Sequence, residues 1–326
     1  MAMTLTNANN LTVEDLFRGV VEATLEEDEL FNLLPFETIP GFKQFTYNKE
    51  GNLPAESQWI GPNDEVDESA PDFTQVTNTL KILADRIELD TFLVETKNAI
   101  QSVESANLAS KSKMMMRRAM DSFYYGSTTT DPNQPNGLHN LVSTSSPDMV
   151  LAEGSSATGA ALSLSNLVAL ADLVKPGRPH VFAMPKAIRA RLSAPYINNV
   201  NFNIDAGNFG NLLGGFGSIP IMVTDFLVMT ETISGSTFSA KTGGATGSIF
   251  AIQFGRQSRV VPGANEVFNN DGLIGVMGNN LTVGPRLPLT KKIGFTRQMW
   301  WWLDFILSSD FSLARLDGIT DAAAGA

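Results

Sequence analysis

ETKNAIQSVESANLASKSKMMMRRAMDSFYY, Glu95 to Tyr125, runs for 31 residues without a proline or a glycine, and Gly126 follows at once. That length without a breaker, ended by the residue best suited to a helix C-terminus, predicts one long helix. Ala99, Val103, Ala106, Ala109, Met116, Met120 and Phe123 recur at spacings of three, four and seven, which places them on one face. At about 1.5 Å per residue the rod is roughly 46 Å long. Its apolar face is built of small or flexible side chains and suits close packing against a sheet or another helix. No heptad of Leu or Ile is sustained, so a coiled coil is not expected.

Upstream, residues 42–90 read as two extended arms. The first, Phe42 to Lys49, places Phe45 and Tyr47 on one face. The return arm, Phe73 to Leu89, alternates Val76, Asn78, Leu80, Ile82 and Ala84 on one face. Between them lies NLPAESQWIGPNDEVDESAPD, an insertion longer and more polar than a compact domain usually carries. Trp59 and Ile60 in its middle favour burial, so the expectation is a projecting hairpin that rests on a partner. Its tip holds Glu56, Asp64, Glu65, Asp67, Glu68 and Asp72, with no Lys or Arg from Gly51 to Leu80. A solvated tip and a basic partner both fit this charge; Arg117 and Arg118 of the long helix are the candidates for the second. Nearer the N-terminus, Thr12 and Asp15 resemble a capping box, and Leu16, Phe17, Val20, Val21 and Leu25 fit one side of a helix reaching about Phe31. The acids Glu26 to Glu29 fall at its far end, where the helix dipole disfavours them, and read as a solvated face.

Downstream, YGSTTTDPNQPNGLHNL from Tyr125 is turn chemistry. Ser163 to Val174 reads as a short amphipathic helix, His180 to Ala183 as a buried strand, and KAIRARL after Pro185 as a second short helix. Ile219 to Asp225 and Ile249 to Phe254 read as buried strands, so strand and helix alternate as in an α/β layer. Asn198 to Gly217 is Asn-, Gly- and Phe-rich and reads as a long loop. Leu273 to Phe311 has strand character throughout. In a strand, Trp300, Trp301 and Trp302 alternate faces, so both faces favour burial. That is awkward in a monomer and natural in a packed shell, and it also suits a carbohydrate-binding surface.

The chain has no Cys, which excludes disulfides, thiolate nucleophiles and Cys-ligated metals. His139 and His180 are its only histidines and read as turn or core residues, so neither a His metal site nor a His relay is expected. Ser110-x-x-Lys113 and Lys241-Thr242-Gly243 match two short motifs of penicillin-binding proteins, but the serine lies mid-helix and no Ser-Asp-Asn stands between them. No catalytic residue, cofactor or metal is therefore expected. A net charge of −11 argues against a dedicated nucleic-acid binder, yet suits the wall of a container that must not stick to nucleic acid inside it. MAMTLTNANN lacks a secretory pattern, and no apolar run approaches the ~18 residues of a membrane span.

The order of parts is N-arm, projecting hairpin, long helix, turn-rich loop, α/β layer and returning strands. It resembles the major capsid protein of tailed phages, an α+β architecture of the Hong Kong 97 type. LFNLLPFETIPG (Leu30 to Gly41), YGSTTTDPNQPNGLHNL and GSIPIMVTDFL (Gly217 to Leu227) carry the resemblance. It implies an N-arm at 1–34 and an extended loop at 35–90. A peripheral domain at 91–154, with a spine helix, is completed by strands and tail at 272–326; an axial domain occupies 155–271. It further implies a structural protein, not an enzyme, that packs with itself as hexamers and pentamers of an icosahedral shell around double-stranded DNA. Such a virion protein is assembled in the host cytoplasm with a portal and a separate scaffolding protein as expected partners; no helical prosegment precedes the N-arm, so a fused scaffolding domain is expected to have been either removed or supplied as that separate protein. A decoration protein is a further candidate partner; no membrane is implied. The expected subunit interface is Phe45, Tyr47, Trp59, Ile60, Glu65, Asp67, Arg117, Arg118, Trp300, Trp301 and Trp302. Some relatives join subunits through a hairpin Lys and a peripheral Asn. Here Lys49 adjoins Glu50, GNNLT with Asn279 and Asn280 reads as a turn, and nothing singles out the assisting Glu, so no cross-link is expected. An encapsulin-like compartment with a protein cargo shares the fold and stays open, as does a hydrolase or glycan-binding protein.

Overall fold

A computed structural model describes residues 28–39, 43–50, 59, 70, 73–96, 103–145, 147–154, 159–175, 177–196, 215–216, 219–234, 237–255 and 272–322. The helix expected from Leu16 and the acidic tip lie outside these residues, as does most of the 198–217 loop. Asp28 is the first of them. Its Oδ1 accepts from the backbone N–H of Leu30 (3.2 Å) and Phe31 (3.4 Å), so it caps a short helix, α1 (Glu29–Leu33). The Tyr124 hydroxyl donates to the same oxygen at 2.8 Å. The acidic run therefore does not end in a solvated face at Asp28: that residue is buried and opens a helix, the end at which a carboxylate is favoured.

β1 (Phe36–Thr38) leads to the hairpin, β2 (Gln44–Glu50) and β3 (Phe73–Thr79), paired antiparallel with Tyr47 opposite Val76. The return arm departs from expectation at Leu80. This residue belongs to neither strand, and its N–H donates to Lys43 O at 3.0 Å. In β4 (Lys81–Asp90), Leu83, Asp85, Ile87 and Leu89 take the inner side while Ile82 and Ala84 are exposed. A one-residue change of parity moves every side chain to the other face, which is what the interruption at Leu80 achieves.

The breaker-free stretch is helical throughout its described residues. α2 (Thr91–Thr96) precedes α3 (Val103–Tyr125), and residues 97–102 are outside the described set. The face that α3 buries runs through Val103, Met115, Ala119 and Phe123, one position off the expected Met116 and Met120, which are half-buried; Ala109 is exposed. With alanines filling both stripes, periodicity alone did not choose between them. Glu104 is buried at the start of α3 because Arg286 and Arg297 both reach its carboxylate. α4 (Leu138–Ser145) follows the turn-rich loop, which closes on itself through Gly137 N–H to Gly126 O at 2.9 Å.

The remaining elements are β5 (Val150–Ala152), α5 (Leu164–Leu173), β6 (Val181–Pro185), α6 (Lys186–Tyr196), β7 (Gly215–Phe216), β8 (Ile219–Thr224), β9 (Thr232–Ser234), β10 (Thr237–Ala240) and β11 (Thr246–Ile252). β12 (Leu273–Val283), β13 (Leu287–Pro288), β14 (Gly294–Leu307) and β15 (Leu313–Thr320) complete the order. The short helices and buried strands thus fall where the sequence placed them. Asn279 and Asn280 do not form a turn: they lie within β12, where its register to β14 shifts.

Among the described residues the strands form two main sheets. In the first, β14 is central, with β12 antiparallel to it, β4 antiparallel through Ile82↔Trp302 to Asp90↔Gly294, and β1 parallel to β12. The second has the order β5-β15-β11-β6-β8-β7. β15 and β5 therefore join the sheet that holds β6, β8 and β11, although both lie outside the 155–271 stretch. The chain passes from one sheet to the other between Leu307 and Leu313. One apolar core spans both: Phe123 and Phe305 from the first region and Phe182 and Phe250 from the second belong to a single buried cluster.

Candidate subunit interface

The three tryptophans of β14 divide its two faces. Met299, Trp301, Leu303, Phe305 and Leu307 point inward and are buried. Trp301 meets Phe31 and Phe36 at 6.3 and 6.4 Å between ring centroids, and Phe305 meets Phe123 at 5.0 Å. Gly275 of β12 lets the Phe36 ring lie on the sheet, since a Cβ there would stand 2.4 Å from a ring carbon. Trp301 is thus taken up by the chain's own core and is withdrawn from the expected interface set.

Among the described residues, the outer face is covered at one end only. There the hairpin base folds over it: Leu80, Tyr47 and Ile39 pack on Ile274, Val276 and Ile306, and the Tyr47 hydroxyl donates to Leu307 O at 3.2 Å. At the other end Trp300 and Trp302 are half-buried, Ile82 is 64% exposed and Val283 41%. With Ala84, Asp85, Arg86, Gln298 and Met299 the two indoles line a depression of about 680 Å³. Gly278 and Gly284 let them lie against the sheet, for a Cβ at either would come within 2.9 Å of a ring atom. Large apolar side chains left in one exposed patch mark a contact surface. Between the covered and uncovered ends sits Asp304, whose carboxyl burial pushes up to about 7, against the opposing pull of the Phe305 N–H and Lys81.

Trp59 is fully exposed, while Ile60, Glu65 and Asp67 lie outside the described residues, as does the Phe45 side chain. Arg118 pairs with Asp121 at 3.4 Å, and it lines a second cleft with Lys81, Ile82, Asp131 and Asn133 beside the tryptophan depression. Arg117 is half-buried. Sequence reasoning missed Ile82 and Ala84 as members of the patch, because it kept them on the hairpin's face. Among the described residues, no group of three or more His, Cys, Asp or Glu is arranged to hold a metal, and no helix is long and apolar enough to cross a membrane.

No family model and no curated protein matches the chain. Solved structures match it from end to end. A chain of the holo-SrpI encapsulin complex from Synechococcus elongatus PCC 7942 is 14% identical with a TM-score of 0.70, covering 100% of this chain and 99% of that one. The capsid of the native GTA particle is 14% identical with a TM-score of 0.63, covering 94% of each chain. The capsid of Myoviridae phage XM1 is 14% identical with a TM-score of 0.61, covering 96% and 98%. The likeness runs along nearly the whole length of each chain: the chain has the Hong Kong 97-type capsid fold.

Proposed function

We propose that this chain is the structural subunit of a self-assembling protein shell, and specifically the major capsid protein of a tailed phage with a double-stranded DNA genome. The observation that carries the reading is the likeness to capsid and encapsulin chains over 94% or more of each chain. Two local features agree with it. The hairpin carries a fully exposed Trp59, and the outer face of β14 is complete at one end and bare at the other. Both are surfaces that a neighbouring copy would cover. In this reading the chain packs as hexamers and pentamers, the hairpin lies over an adjacent subunit, and Glu65 and Asp67 of its tip meet basic groups such as Arg117 and Arg118. Portal, a separate scaffolding protein and a decoration protein are its further partners, and the enclosed DNA is held without sequence preference by a wall of net charge −11. Its role is structural and not catalytic, and its place is the virion.

A cellular compartment with a protein cargo is the second reading, favoured by the TM-score of 0.70 to the encapsulin complex. Electron microscopy of the purified protein tests the common part: closed icosahedral particles are expected, and a monodisperse small species overturns it. Nuclease-protected DNA of genome length inside those particles establishes the phage reading; a copurifying enzyme in its place establishes the compartment. Deleting residues 52–72 should leave a folded subunit that forms no shell. Normal shells from that variant overturn the overlapping role of the hairpin.

A further inference from the structure

We propose that His139 is an acid-sensitive lock that fastens the corner between α3 and α4 to the six-stranded sheet. The inference is independent of whether the chain forms a shell. His139, Glu231, Arg315 and Asp317 are each no more than 1% exposed, and they come from α4, the bridge before β9, and β15. Glu231 Oε1 accepts from the Tyr125 hydroxyl at 2.6 Å and faces His139 Nε2 at 3.2 Å; its Oε2 accepts from Ser248 at 2.5 Å. On the other side of the ring, Arg315 Nη1 stands 3.3 Å from His139 Nδ1 and donates to His139 O at 3.2 Å, while Nη2 donates to Asp317 at 3.0 Å. The imidazole packs against Tyr125 and Phe238, with ring centroids at 5.0 and 4.1 Å, and those two rings are themselves 5.6 Å apart.

A guanidinium only donates, so Nδ1 must present its lone pair to Arg315. Nε2 then carries the proton and donates it to Glu231. One tautomer of the neutral ring satisfies both neighbours. A second proton has only Nδ1 to bind, and there it sets donor against donor and cation against cation. Burial, the largest influence, and Arg315 both lower the pKa of His139, with Glu231 opposing them. Burial raises the carboxyl of Glu231, but His139, Ser248 and Tyr125 outweigh it and hold it low. The remaining charges near the ring are Asp317, paired with Arg315, and Asp121 with Lys241, whose ammonium lies over the Tyr125 ring. The unfolded chain takes up a proton at His139 near pH 6.5 and the folded chain does not, so acid favours release of the corner.

His139→Gln supplies an amide donor for Glu231 and an oxygen for Arg315 but does not titrate. Denaturant unfolding of both proteins between pH 7.5 and 5.5 reads the difference. The unfolding constant of the native protein should rise about tenfold more than that of the variant by pH 5.5. Asp28 and Asp304 titrate in both proteins and cancel in this comparison. Equal pH dependence overturns the lock. Should the variant not fold, nitrogen NMR of the native protein, which has two histidines, decides instead. A neutral His139 with its proton on Nε2 at pH 6 supports the proposal, and an imidazolium at that pH overturns it.

Discussion

One strand, β14, shows its two faces in different states of completion. The inner face is closed by the chain itself: Trp301 and Phe305 sit among Phe31, Phe36 and Phe123. The outer face is closed by the hairpin base as far as Ile306 and left open at Trp302, Trp300 and Ile82. Three consecutive residues of one type therefore serve two purposes. Trp301 is packed in the chain's own core, while Trp300 and Trp302 stay half-buried on the other face. Apolar surface on a single chain is informative where it is contiguous and unfinished, and this is such a place.

The largest test of that contrast is Trp301→Ala. Removing a buried indole that packs against two Phe rings should cost about 3–5 kcal/mol in denaturant unfolding; a loss below about 1 kcal/mol would mean the inner face is not the organising core. Gly275→Ala comes next, because its new methyl meets the Phe36 ring that β1 lays on the sheet. A destabilisation of about 1–3 kcal/mol is expected, with displacement of β1 visible as faster hydrogen exchange at Phe36 to Thr38. Asp304 gives a smaller, pH-dependent effect. Its folded pKa, about 7, stands above the unfolded value, so the stability its neutral form contributes is lost as pH rises toward and through 7. Asp304→Asn should remove that decline, so that the stability curves of variant and native protein diverge between about pH 4 and pH 7 and run parallel above it; curves parallel throughout would show the carboxyl is not buried as described. Trp302→Ala should alter the isolated subunit least, by about 1 kcal/mol, since the indole is already half in solvent. Yet it should cut the yield of particles in electron micrographs. Unchanged particle yield would show that the outer face is finished as it stands.

Much of the architecture was legible because it is local. The hairpin, the helix after Ser163, and the strands at 181–185, 219–224 and 246–252 each carry their period and their breakers within a few residues. The rest depends on partners distant in sequence. Nothing near Leu80 announces that the inward parity changes there; the reason is that β4 leaves β3 and pairs with β14. Asp28 looked like one more surface acid because its partner, Tyr124, closes the other end of the long helix. His139 read as a turn or core residue and nothing in the sequence singled out Glu231 or Arg315; only their convergence makes a network. The open patch was half legible: the tryptophan run signalled two buried faces, but which indole belonged to the core depended on where Phe31 and Phe36 return.

The position of β14 in the first sheet also bears on how the chain is made. Ile82 finds its partner in Trp302, and Phe36 finds Gly275 only after the whole second sheet except β15 has been synthesised. A ribosome that has not passed Gly294 holds β4 without its sheet partner, one edge of β12 unpaired, and the Phe31 and Phe123 rings without the Trp301 and Phe305 side chains that cover them. Such contacts are slow to form, and their absence leaves edges that attract other chains. The nascent protein is therefore most exposed to aggregation late in translation, and truncation anywhere before Leu307 removes the strand on which the earlier ones close.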